Sequence, residues 1–269
     1  MATLPAGETS DKIVPKLPSP LPGIYPSGDE PTRDMDSNGW PHNKRNKAAS
    51  LIRKGFALQL AGDQHLASVM QYGIDEYEEG SYAFSGPALN NTWPRRWWPT
   101  LASDHKPLYG KPTYTGNFED GFSNKVTVHA VANPTKTGLQ PEVIFDRATG
   151  YGMVIFDPKT QEIKMECWPR YTDMSQSTKE QYPGWPVKIK LEDNYGKKAL
   201  GYLPTIISDI SNPVVQLIDK KSKEVIYTRR FLGNEISLKV FSEGKYVVKI
   251  GESSNTFNKG KVYKFKLDK

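Results

Sequence analysis

Phe56-Ala-Leu-Gln-Leu-Ala-Gly-Asp-Gln-His65 joins an apolar run to a glycine, then a carboxylate and an imidazole. The run predicts a buried strand from Phe56 to Ala61, with the polar residues at its carboxyl mouth. In extended backbone, side chains two apart point the same way, so Asp63 and His65 could converge on one cation while Gln64 faces elsewhere. A carboxylate with a neutral imidazole suits Zn, Mn or Fe rather than a thiolate-seeking metal, and Gly62 would give a tight turn with room for a ligand. From these residues alone the commoner reading is a capping Asp beside a surface His.

Working outward, Asn43 to Lys54 has helix-forming composition, with Asn43 as a cap, Ala48, Leu51 and Ile52 as an apolar stripe, and Gly55 as the stop. A helix feeding a strand that ends in the Asp63/His65 loop is the step by which α/β sheets present ligand sites at strand carboxyl ends. Residues 1–43 carry Pro15, Pro18, Pro20, Pro22, Pro26 and Pro31 and read as a long loop or arm. Within it Asp34, Asp36 and Asn38 resemble the start of a calcium loop, but the required Gly and distal Glu are out of position, so they read as turn formers.

Further strands are expected at Lys125 to Val131, Glu142 to Asp146, Gly152 to Phe156 and Glu162 to Cys167, with Asp157-Pro-Lys-Thr160 as the turn between the last two. After a connector at Tyr182 to Pro186, short strands at Val214 to Ile218, Glu224 to Thr228, Ser237 to Phe241, Lys245 to Ile250 and Lys261 to Leu267 predict a small antiparallel, immunoglobulin-like sandwich over 200–269. Residues 44–185 form the domain before it.

The net charge of +6 is uneven. From Pro186 to Lys269 there are 17 Lys and Arg against 9 Asp and Glu, a net of +8, so residues 1–185 carry a net of −2. The lysines alternate with apolar residues, as in Val262-Tyr-Lys-Phe-Lys-Leu267, which is the wet face of half-buried strands rather than a nucleic-acid surface. Such a surface would want clustered arginines with stacking aromatics, and only Arg229-Arg230 is present. The single Cys167 excludes an internal disulfide or a cysteine zinc cluster and reads as a packed thiol. No stretch approaches the roughly 18 apolar residues of a membrane span, and the start has no secretion signal.

Asn91-Thr-Trp-Pro-Arg-Arg-Trp-Trp-Pro99 sets Arg95 and Arg96 among three indoles. The guanidinium forks would suit phosphate, with the aromatics holding an organic group beside it; alternatively the tryptophans pin a loop to the core and the arginines stack on them. His42, His105 and His129 have no partner at metal spacing, and His129 reads as a packed strand residue.

Asp36-Ser-Asn-Gly-Trp-Pro-His-Asn-Lys-Arg45 followed by Leu60-Ala-Gly-Asp-Gln-His-Leu-Ala-Ser68 resembles the second half of a PhoD-like alkaline phosphatase, a metallophosphoesterase family. Tyr72-Gly-Ile-Asp75, Pro94-Arg-Arg-Trp97, Gly150-Tyr-Gly-Met153 and Glu166-Cys-Trp-Pro-Arg170 are similar to a bacterial branch of it, as is the terminal β-module. The resemblance implies an α/β (α+β) fold, the C-terminal part of an αββα metallophosphatase sandwich followed by the β-sandwich module. It implies hydrolysis of phosphate-ester small molecules with Fe, Ca, Mn or Zn ions. Gly-Asp-x-His is the family's late metal motif, so Asp63 and His65 would be metal ligands and catalytic residues, and Arg95 or Arg96 would bind substrate phosphate. The family's earlier Asp-x-Asp and Gly-Asn-His-Asp loops are not present, so the chain is expected to be a C-terminal part with Met1 an internal methionine. Self-association through exposed edges and an exported location follow as expectations. The alternatives are a non-catalytic half-domain that binds a partner, or a single-metal hydrolase that adds His42 as a further ligand.

Overall fold

The computed structural model describes residues 42–91, 95, 97, 99, 101–120, 123–134, 148–170, 172–176, 179–252 and 257–267. The proline-rich arm with Asp34, Asp36 and Asn38, the strand expected at Glu142 to Asp146, and Arg96 all lie outside them.

Helix α1 (His42–Arg53) forms where its composition predicts, but it begins at His42, so Asn43 lies within its first turn rather than capping it. It buries Arg45 and Ala49, not the stripe expected from Ala48, Leu51 and Ile52, and Leu51 is exposed. The reason is polar. The Arg45 guanidinium lies 4.7 Å over the Tyr72 ring and donates to the carbonyls of Gly73 and Lys125, the latter at 2.8 Å. A buried cation is tolerated because its donors are met in this way.

Under α1 lies a five-stranded sheet made of β1 (Gln59–Ala61), β2 (Ser68–Tyr72), β3 (Tyr82–Ser85), β4 (Gly116–Glu119) and β5 (Lys125–Val131), in the order β1-β3-β2-β5-β4. Only the β1/β3 pair is parallel. A second sheet, β6 (Gly150–Asp157), β7 (Glu162–Pro169) and β8 (Val187–Lys190), is antiparallel throughout. Alternation divides the core. Val69, Tyr82, Phe84 and Ala130 face Ile163, Met165, Cys167 and Ile189 of the second sheet, while Met70, Tyr72, Ala83 and Val128 face Ala49 of α1 and Trp97. The layers therefore run helix, sheet, sheet.

The expected α/β class gives way to a β-rich fold, because among the described residues α1 is the one α-helix against sixteen strands in several small sheets. Antiparallel neighbours can be joined by tight turns, so no crossover helices are needed. The turn at Asp157 is one such, its carboxylate accepting from Lys159 N and Thr160 Oγ1 at 2.9 and 2.8 Å.

The strand expected over Phe56 to Ala61 shrinks to Gln59–Ala61 and is an edge, not buried: Leu60 is 60% exposed. Phe56 instead turns back with φ 52° and packs with Tyr195 and Tyr227 in the core of the C-terminal module. The end of α1 goes with it, since Lys54 O accepts from Thr228 N and Lys54 Nζ meets Glu224 at 2.5 Å.

That module contains β9 (Gly201–Tyr202), β10 (Ile206–Ile207), β11 (Val214–Asp219), β12 (Val225–Arg230), β13 (Glu235–Ile236), β14 (Lys239–Val240), β15 (Gly244–Gly251) and β16 (Lys261–Phe265). Its main sheet runs β12-β11-β15-β16, antiparallel, with β9/β14 and β10/β13 as short pairs. The sequence missed β8, whose Val187-Lys-Ile-Lys190 alternation follows the connector but pairs back onto β7. A 3-10 turn, Leu191–Asn194, bridges the two parts: buried Asn194 accepts from Tyr82 N at 3.0 Å and from Ser81 Oγ at 3.1 Å.

Candidate functional site

Asp63 and His65 follow the carboxyl end of β1, as the sequence predicts, but not in extended backbone. Both adopt positive φ, 63° and 55°, whereas Gly62 does not, and a side chain at Gly62 would meet open space. The turn expected of the glycine is thus made by Asp63 and His65 themselves. Asp tolerates this region through local hydrogen bonding; two such residues two positions apart cost on the order of 1–3 kcal/mol each, a strain found disproportionately at functional sites.

The coil still brings the two side chains together. His65 Nε2 lies 3.9 Å from Asp63 Oδ1, the carboxylate fully exposed and the imidazole about one-third exposed. Donors bonded to one Zn-sized ion at about 2.0–2.2 Å sit roughly 3–3.5 Å apart, so a small rotation would let both reach a shared ion.

Arg95 is carried onto the same loop. Its backbone N–H donates to His65 O at 3.4 Å, and its Nη1 donates to Gln64 O and Oε1 at 3.2 and 3.4 Å. The segment is held by Trp97, which is buried and exchanges two hydrogen bonds with the Asn133 amide, 2.7 Å at its N–H and 2.9 Å at its carbonyl. Its indole donates to Tyr114 O at 2.9 Å and meets Phe118 edge-on. Trp97 therefore pins the loop, and Arg95 is directed to the Asp63/His65 turn rather than stacked away from it.

The other histidines stay apart. His42 pairs with Asn46 Nδ2 at 3.1 Å, and His105 lies 3.0 and 2.9 Å from Thr113 O and Thr115 O. His129 is the extra residue of a bulge, since Val69 pairs with Ala130 and Met70 with Val128. Its ring packs 4.8 Å from Tyr82 with Nε2 buried and unbonded, and burial, helped by the charge of Lys111, lowers its pKa to about 4. Among the described residues no three His, Cys, Asp or Glu side chains gather as a metal group, so the His42 addition does not form here. Cys167 is buried, and burial pushes its thiol well above the usual range, which favours the neutral thiol at neutral pH. No described helix is long and apolar enough to cross a membrane.

One concavity escaped the sequence reading. Between the 3-10 turn and the C-terminal module lies a crevice of about 300 Å3, walled by aromatic rings from Phe56, Tyr195, Tyr227 and Phe241 with Glu192 and Arg229 at its side. These residues are scattered from position 56 to 241, and only the fold collects them. Comparisons with protein-family models, curated proteins and solved structures returned no match for this chain.

Proposed function

We propose that this chain contributes Asp63 and His65 to a metal centre that hydrolyses phosphate esters, as part of a PhoD-like metallophosphoesterase. What carries the reading is the placement of a Gly-Asp-x-His loop at the carboxyl end of β1, with its two ligand-type side chains 3.9 Å apart and Arg95 hydrogen-bonded to the residue between them. On this reading the helix, sheet and sheet of residues 42–190 are three layers of an αββα sandwich.

The donors fit Fe, Mn, Zn or Ca in kind but not in number, because two side chains cannot hold a multinuclear site. The remaining ligands then come from polypeptide outside the described residues. The ions would hold phosphoryl oxygens and activate water. Within this chain, Asp63 and His65 bind, and Arg95 offers positive charge to the phosphoryl oxygens from a position fixed by Gln64 and Trp97. An exported location accompanies the reading.

The test is metal content by mass spectrometry after loading with Mn, Zn, Fe or Ca and desalting, alongside hydrolysis of a nitrophenyl monoester and diester. We expect Asp63→Ala and His65→Ala each to lower retained metal about tenfold or more with the far-UV spectrum unchanged, and Arg95→Ala to spare metal while lowering hydrolysis in a chain with its full ligand set. If the native chain and His65→Ala hold the same metal, the phosphoesterase reading falls. The absence of a third donor among the described residues would then favour a non-catalytic binding half-domain.

A further inference from the structure

The aromatic crevice at the module junction lies outside the Asp63/His65 site, and the ring it leaves open to a ligand is Tyr202, since Phe56, Tyr195 and Tyr227 are buried in the module core. Tyr195 and Phe241 stack at 4.9 Å with planes 13° apart, and Phe56 meets Tyr227 edge-on at 5.5 Å. At the lining Tyr202 is 54% exposed on β9, which is a large aromatic surface left in water. The charges close on themselves. Glu192 accepts from Arg229 Nη1 at 3.0 Å and lies 3.7 Å from Lys239 Nζ, and with Glu235 the lining carries as many carboxylates as cations.

We propose that this crevice binds an uncharged sugar ring, such as the end of a neutral glycan. A pyranose has one face of C–H groups that packs on an aromatic plane and a girdle of hydroxyls that require hydrogen bonds, so it needs rings and polar groups side by side. An anion would have to draw Arg229 and Lys239 away from Glu192, and a cation would have to displace them; a neutral polyol does neither. The volume is at the small end of the roughly 300–1,000 Å3 of small-molecule sites, which suits one ring and part of the next. The proposal does not depend on the metal-site reading.

Saturation-transfer NMR and titration calorimetry on the full chain test it, with methyl β-glucoside, methyl α-mannoside, N-acetylglucosamine and cellobiose set against glucuronate, choline and benzoate. At least one neutral sugar is expected to bind, with or without chelator. Tyr202→Ala should weaken that sugar about tenfold or more, and Tyr202→Phe should retain it, since the contact is the ring face; Tyr202 is exposed, so neither change threatens folding. The proposal is overturned if no neutral sugar binds, if Tyr202→Ala binds as the native chain does, or if a charged probe or benzoate binds more tightly than every neutral sugar.

Discussion

Among the described residues, the outer strand β6 and the module's outer strand β16 are built on opposite rules. β6, Gly150-Tyr-Gly-Met-Val-Ile-Phe-Asp157, pairs only with β7 among the described residues, carries no cation, and exposes Met153, Ile155 and Phe156. In the module, β16 places Lys261 and Lys264 along its outer edge, while β12 on the other side is met by the end of α1 and by Gln161, Thr228 N donating to Lys54 O and Gln161 Nε2 to Arg230 O. β8, at the other side of the β6 sheet, follows the module's rule, with Lys188 and Lys190 outward and Val187 and Ile189 buried. Charged edges refuse a further strand and apolar ones invite it. The contrast makes β6, among the described strands, the edge more open to pairing with a further strand.

The largest effect separating the two regions should be acid sensitivity. All four histidines and all six tryptophans precede residue 187, so the module has neither. His129 has a folded pKa of about 4 against about 6.5 unfolded, so the folded state disfavours its charged form. Stability is complete above pH 6.5 and falls as pH drops toward 4, because the unfolded chain takes up a proton that the folded chain refuses; the loss is at most about 3 kcal/mol. Urea midpoints at pH 7, 5.5 and 4.5, followed by tryptophan emission, should show the decline, and His129→Phe should flatten it. An unchanged slope in that variant would move the sensitivity elsewhere.

Next come two glycines that each admit a phenylalanine ring. A Cβ on Gly152 would lie 2.4 Å from Phe84 Cζ, and one on Gly201 would lie 2.4 Å from Phe265 Cζ. Phe84 is buried and wedged edge-on against Trp185, whereas Phe265 is part-exposed at the end of β16 and can swing away. Gly152→Ala should therefore cost about 2 kcal/mol and Gly201→Ala under about 1, read as a difference in melting temperature. Equal losses would mean that the two packings are equally rigid.

How far the sequence could be read follows the same division. The module was legible because alternation of lysine with valine, tyrosine and phenylalanine fixes both a strand and its wet face, and β11, β12, β15 and β16 form within a residue or two of expectation. The loop of Asp63 and His65 was legible as a place but not as a geometry, since Asp and His enter positive φ more readily than most residues yet adopt it too seldom to predict it as a glycine would. Phe56 misled because an aromatic beside Ala57 and Leu58 looks like a strand start, while its partners Tyr195 and Tyr227 are over a hundred residues away. Arg45 misled in the opposite sense, since an arginine is not read as core until two carbonyls and a tyrosine face are seen around it.

The smallest effects test the edges themselves. Met153→Lys with Ile155→Lys gives β6 the module's pattern, and sedimentation velocity should show weaker self-association, by about tenfold in dissociation constant, without loss of fold because both side chains already meet solvent. The mirror change, Lys261→Val with Lys264→Val, removes the guard from β16 and should strengthen association, but by less. β16 is five residues long against eight for β6, so fewer backbone groups wait for a partner strand. Were the β16 variant to associate more strongly than native β6 allows, length would not be the controlling quantity, and the charge of the edge alone would decide which side of the molecule another strand can join.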